Sequence, residues 1–115
     1  MSDSACVFCK IASREIPAEI LHVTETVMAF RDLNPQAPTH LLLIPREHLE
    51  SLEQITDAHA GVLADLVQAA THLAKTEGLN DGWRLVSNVG PAGGQTVYHL
   101  HFHMLGGRQM TWPPG

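Results

Sequence analysis

The chain has 115 residues, 44% of them hydrophobic and 17% charged, with a formal net charge of −5. That length suits a single domain spanning residues 1–115, with a core that needs no disulfide staple. Seven scattered basic residues on an acidic chain exclude a nucleic-acid backbone as the main partner, since neutralising phosphates takes clustered Lys and Arg.

The start, Met1-Ser2-Asp3-Ser4, carries neither the basic region nor the apolar run of a signal peptide. No stretch approaches the roughly 20 apolar residues of a membrane span. A soluble cytoplasmic protein with no membrane partner is the expectation. Residues 7–16 place Phe8, Ile11 and Ala12 at helical spacing before Pro17, which predicts a short helix. Residues 19–24 and 26–31 are two short β-branched and apolar runs of strand length. Residues 32–39 are turn chemistry, with Pro35 and Pro38 fixing φ and Asp32 and Asn34 able to bond locally. His40 to Ile44 reads as a buried strand ended by Pro45.

Thr56 is a plausible N-cap for the one long helix. Its stripe is Val62, Leu63, Leu66, Val67, Ala70, Leu73 and Ala74, and Gly78 suits its left-handed end. A strand over residues 83–88, a flexible turn over 90–95 and a long final strand over 97–105 complete the chain. Helix, three strands, helix, two strands predicts an α+β domain with a mostly antiparallel sheet.

Eight histidines are more than packing requires, because imidazole chiefly titrates, ligates and catalyses. Three of them alternate in Tyr98-His99-Leu100-His101-Phe102-His103-Met104-Leu105. On a strand they would line one face about 6.6–6.8 Å apart, with Tyr98, Leu100, Phe102 and Met104 on the other. Either they hold a metal, or one imidazole attacks an electrophile while its neighbours orient it. Gly93-Gly94-Gln95-Thr96, just upstream, can offer backbone amides and a hydroxyl to an anion, which suggests a phosphate held beside a nucleophile.

Cys6-Val7-Phe8-Cys9 lacks the βαβ context of a thioredoxin-like redox pair. Two thiolates supply only half of a closed tetrahedral zinc site, and the histidine surplus offers further donors. His22, His59 and His72 belong to no motif and read as surface or helix-face residues.

The run His99-Leu100-His101-Phe102-His103-Met104-Leu105 resembles the signature of the histidine triad (HIT) family. The stretch 34–40, Gly93-Gly94-Gln95, residues 105–110 and Trp112-Pro113-Pro114-Gly115 make the chain similar to its histidine triad nucleotide-binding (Hint) branch. The resemblance implies a HIT-like fold of about five strands with one long and one short helix, its sheet continued across a homodimer. It also implies purine nucleoside phosphoramidase activity: hydrolysis of P–N bonds in adenosine-type phosphoramidates, through a nucleotidyl-histidine intermediate, to a nucleoside monophosphate and an amine.

In that scheme His101 is the nucleophile, His103 contacts phosphate oxygens with His40 nearby, and the Gly94, Gln95 and Thr96 amides stabilise developing charge. Thr96 stands where the family commonly has serine, so a hydroxyl for the departing amine survives with an added methyl. Asp32 would hold the ribose, Leu33 and Phe30 the base, and Asn88 the nucleotide. Trp112 would reach toward a partner's pocket. Some bacterial-type members complete a zinc site with positions matching His48 and His99, so Cys6, Cys9, His48 and His99 are the candidate ligands of a structural Zn2+, against two unligated thiols. No cofactor would then be needed for the chemistry. Three alternatives stay open: a dinucleoside polyphosphate hydrolase, a nucleotide-binding regulatory module with incidental turnover, and a catalytic metalloenzyme using the triad as ligands.

Overall fold

The computed structural model describes residues 5–115. In chain order it contains α1 (Val7–Ala12), β1 (Ile20–Val23), β2 (Val27–Arg31), β3 (Thr39–Pro45), α2 (Ala60–Thr76), β4 (Trp83–Val86) and β5 (Phe102–Gly106). The strands form one antiparallel sheet in the order β1-β2-β3-β5-β4, as the alternation of elements predicts. No described helix is long and apolar enough to cross a membrane.

Strand alternation divides the core. Ala29, Leu41, Leu43 and Met104 face the stripe Leu66, Ala69, Ala70, Leu73 and Ala74 of α2. Met28, Phe30, Leu42 and Ile44 face Phe8, Ile11 and Ala12 of α1. The even-numbered positions of β3 therefore carry His40 onto the α1 face, beside the short helix that carries Cys9 and is capped by Cys6. Val67, placed in the apolar stripe by its spacing, is 48% exposed at the stripe's edge.

Several boundaries differ from the sequence reading, among them the end of β4, at Val86 and not residue 88. Helix α1 stops at Ala12 rather than near residue 16, because Arg14 turns to φ 66° and Glu15 and Ile16 direct their amides back to the Lys10 carbonyl. The Thr56 cap belongs to a single 3-10 turn, Asp57–His59, that leads into α2; His59 Nδ1 accepts the Thr56 amide at 2.9 Å, which gives this histidine a capping role. Gly78 closes α2 at φ +72° as expected.

The final strand is the largest departure. It begins at Phe102, not near residue 97, so His99 and His101 are not strand residues. The preceding backbone finds other partners: the Leu100 amide donates to the Leu49 carbonyl at 2.6 Å, and the His99 carbonyl is taken by a side chain. Tyr98, expected on the face opposite the histidines with Leu100 and Met104, is exposed while those two are buried.

Candidate active site and metal centre

With His99 and His101 outside the ladder and His103 within it, the three histidines do not stand on one evenly spaced face. Phe8 of α1 wedges between the first two, its ring centroid 6.0 Å from His99 and 5.0 Å from His101. His101 and His103 remain neighbours at 5.0 Å, and His103 meets His40 at 5.2 Å. On the far side His99 meets His48 at 5.0 Å. The result is two groups of imidazoles with different surroundings.

The first group is Cys6, Cys9, His48 and His99, whose ligating atoms all lie within 4.8 Å of one another. His48 Nδ1 is 3.2 Å from Cys9 Sγ, and His99 Nδ1 is 3.4 Å from Cys6 Sγ and 3.5 Å from Cys9 Sγ. A tetrahedron with Zn–S of about 2.3 Å and Zn–N of about 2.0 Å puts sulfur and nitrogen corners about 3.5 Å apart. The donor set and its spacing therefore fit zinc. His99 Nε2 donates to the Pro45 carbonyl at 2.8 Å, which leaves Nδ1 bare and turned toward the sulfurs. His99 is fully buried, and burial holds its pKa down to about 4, so the neutral ligating form prevails. Cys6 and Cys9 are not joined in a disulfide.

The second group is His101, His103, His40 and Asp32. His101 Nδ1 donates to the His99 carbonyl at 2.7 Å. Its Nε2, with no hydrogen-bond partner among the described residues, is then the atom with the free lone pair. The same bookkeeping sets the other two tautomers. The Gln36 amide donates to His40 Nδ1 at 3.0 Å, so His40 carries its proton on Nε2. That nitrogen lies 2.9 Å from His103 Nδ1 and 3.4 Å from Asp32 Oδ2. His103 Nδ1 accepts, which leaves Nε2–H of His103 as a donor. Burial lowers the pKa of His40, His101 and His103, keeping all three neutral near pH 7, although Asp32 pulls each the other way.

The remaining expected residues fall into three sets. Asn88 lies against the glycine turn: a Cβ added at Gly94 would sit 3.7 Å from its Nδ2. Asp32 Oδ1 accepts the Asn34 amide at 2.8 Å, so it shapes the turn as well as facing His40. Leu33 and Trp112 are almost wholly exposed, at 97% and 83%. Phe30 is buried at 3% and packs edge-on against Phe8.

Two of the three amides assigned to an anion are already used. Gly94 N donates to the Pro91 carbonyl and Gln95 N to the Gly90 carbonyl. The Gln95 side chain is likewise spent, on the Glu50 and Val97 carbonyls and the Gly90 amide. Gln95 therefore braces the turn, and Thr96, exposed and next in line, is the residue whose amide and hydroxyl remain.

Sequence reasoning missed Phe8, the aromatic wedge. It also missed Ser87, whose Oγ donates to the His101 carbonyl at 2.7 Å. Neither carries a motif; both follow only from the fold.

Comparison with known proteins agrees with this geometry. Residues 13–110 match the family described as HIT domain. A Zea mays protein named "14 kDa zinc-binding protein" is 50% identical, covering 100% of this chain and 91% of the relative. "Adenylylsulfatase HINT1" of Arabidopsis thaliana is 49% identical over 99% of this chain and 79% of the relative. Among solved structures, a HIT family hydrolase from Legionella pneumophila superposes with a TM-score of 0.94 at 53% identity, covering 96% of this chain and 99% of that one. The chain belongs to the HIT domain family.

Proposed function

We propose that the chain is a purine nucleoside phosphoramidase, with His101 as its nucleophile. The observation that carries this reading is the tautomer of His101: Nδ1–H is fixed on the His99 carbonyl, so Nε2 presents a lone pair on a neutral, buried ring. His101 Nε2 attacks the α-phosphorus of an adenosine-type phosphoramidate. A P–N bond forms to the histidine as the P–N bond to the amine breaks, and the amine leaves with a proton relayed through the Thr96 hydroxyl, which takes one from solvent as it passes one on. Water then attacks the nucleotidyl-histidine, releasing the nucleoside monophosphate and restoring the imidazole.

His103 supplies Nε2–H to the phosphate oxygens, and its other nitrogen is held by His40. Asp32, Leu33 and Asn88 would hold the nucleoside, with Phe30 helping to wall the base. Every step uses this chain's own residues and requires no cofactor. Zinc on Cys6, Cys9, His48 and His99, when bound, would be structural, joining α1 to the segment before β5. Thiols kept for such a site suit a reducing compartment, which supports a cytoplasmic location. Exposed Leu33 and Trp112 support a homodimer in which the tail completes a neighbouring pocket.

The test is intact mass after mixing with an adenosine phosphoramidate and stopping the reaction under neutral denaturing conditions. A nucleotidyl adduct on the wild type, absent from His101→Ala, supports the reading. No adduct and no amine release with any phosphoramidate would sink it. The name of the Arabidopsis relative makes an adenylyl sulfate a second substrate to offer, because attack at the same phosphorus would expel sulfate in place of an amine.

A further inference from the structure

His99 belongs to both groups of histidines at once. Its imidazole points into the cysteine cluster, with Nδ1 3.4 Å from Cys6 Sγ and Nε2 2.8 Å from the Pro45 carbonyl. Its main-chain carbonyl points the other way and takes the Nδ1 proton of His101 at 2.7 Å. This residue lies outside the sheet ladder, so no strand pairing holds that carbonyl in place. What holds it is the side chain: two sulfurs, one carbonyl and the edge of Phe8.

We propose that His99 is a positioning residue through which the Cys6–Cys9–His48–His99 cluster, by holding a metal, sets the tautomer and orientation of His101. The inference rests on His101 acting as nucleophile, and it adds a control that the reaction itself does not require. With the cluster closed, residue 99 is anchored and its carbonyl is available only to His101 Nδ1. With the cluster open, two thiols and two imidazoles lose their common centre. The His99 ring keeps a single firm bond, to Pro45, and the carbonyl can turn. His101 would then divide between its two tautomers, and only one of them leaves Nε2 free to attack. Phe8 reinforces the link, since it rides on the short helix that carries Cys9 and is capped by Cys6, and it touches both rings.

The experiment uses the full chain with 15N-labelled histidine, in zinc-loaded and chelator-stripped forms and with cadmium replacing zinc. Long-range proton–nitrogen spectra report the His101 tautomer directly, and phosphoramidate turnover is followed in parallel. Zinc-loaded protein should show His101 as a single Nδ1–H form. Stripping should bring in the Nε2–H form and lower kcat about tenfold or more, the scale of second-layer changes around metal sites, with KM nearly unchanged. His48→Ala should reproduce the stripped spectrum even with zinc present, and His48→Cys should restore the single tautomer. Cadmium keeps the cluster closed with longer bonds, so it should shift the His101 Nδ1–H resonance while the chain stays folded.

A His101 spectrum identical in zinc, cadmium and His48→Ala samples would overturn the proposal, whatever the turnover. If zinc-loaded protein shows the tautomer change on stripping yet hydrolyses no phosphoramidate, the coupling stands and the assigned reaction fails. The two readings are thus separable.

Discussion

His40 Nε2 lies 2.9 Å from His103 Nδ1, and the proton between them belongs to His40 because the Gln36 amide occupies its other nitrogen. A backbone group at the β2–β3 turn thereby decides which face of His103 is a donor. His40→Ala removes this constraint and leaves a half-buried acceptor without its partner, worth up to about 1–3 kcal/mol. The expected outcome is a fall in kcat/KM of about tenfold to hundredfold, read by steady-state kinetics with an adenosine phosphoramidate. An unchanged value would show that His103 needs no help in orienting.

Gly93 has no room for a side chain: a Cβ there would overlap the Val89 carbonyl oxygen. Gly94 adopts φ +88°, a region where an L-residue costs about 1–2 kcal/mol. Gly93→Ala should therefore distort the turn beside Thr96 and raise KM for the nucleotide more than Gly94→Ala does. Both variants should unfold at lower urea concentration. Equal KM values in the two variants would contradict the close approach at Gly93.

Metal content offers a separate check. Protein purified without chelator should carry about one zinc per chain, and removing it should lower the melting temperature, since whatever binds only the folded state stabilises it. The double substitution of Cys6→Ser and Cys9→Ser should abolish both the zinc and the difference. Zinc-free preparations with unaltered melting would refute a structural role.

Acid should destabilise the fold in a defined direction. Burial lowers the pKa of His40 and His103, the latter helped by the nearby His101 and His40 rings. As pH falls through the ordinary histidine value of about 6.5, the unfolded chain takes up protons that the native chain refuses, so stability drops. It is fully present above that value and declines below it, until the folded groups themselves protonate. Urea midpoints measured between about pH 7.5 and about pH 5.5 should fall, and fall less in His103→Gln. A steeper fall in the variant would reverse the sign assigned here.

How much of this was legible beforehand differs from element to element. Strand β3 and helix α2 were readable because periodicity and the flanking Pro45 and Gly78 act locally. The family signature pointed to His101 and His103, and the cysteine spacing to a metal. The wedge of Phe8, the bracing by Gln95 and the bond from Ser87 were not readable, because each joins segments distant in sequence. Nor could alternation foresee that His99 leaves the strand. A period-two pattern predicts a ladder, and here the side chain of His99 and the amide of Leu100 find stronger claims elsewhere.

The Cys6–His99 contact spans 93 positions of the chain. That separation has a consequence during synthesis. A ribosome that has built the chain as far as β4 has already delivered the cysteines, His40, His48 and the whole of α2, yet neither end of the reactive row exists. Closing so long a loop comes late, because its entropy must be met before any contact rewards it. Nascent chains should accordingly be inert toward nucleotides, with two thiols waiting in the open for the histidine that will enclose them. Oxidants would find Cys6 and Cys9 most accessible in that interval, before the finished fold buries Cys9.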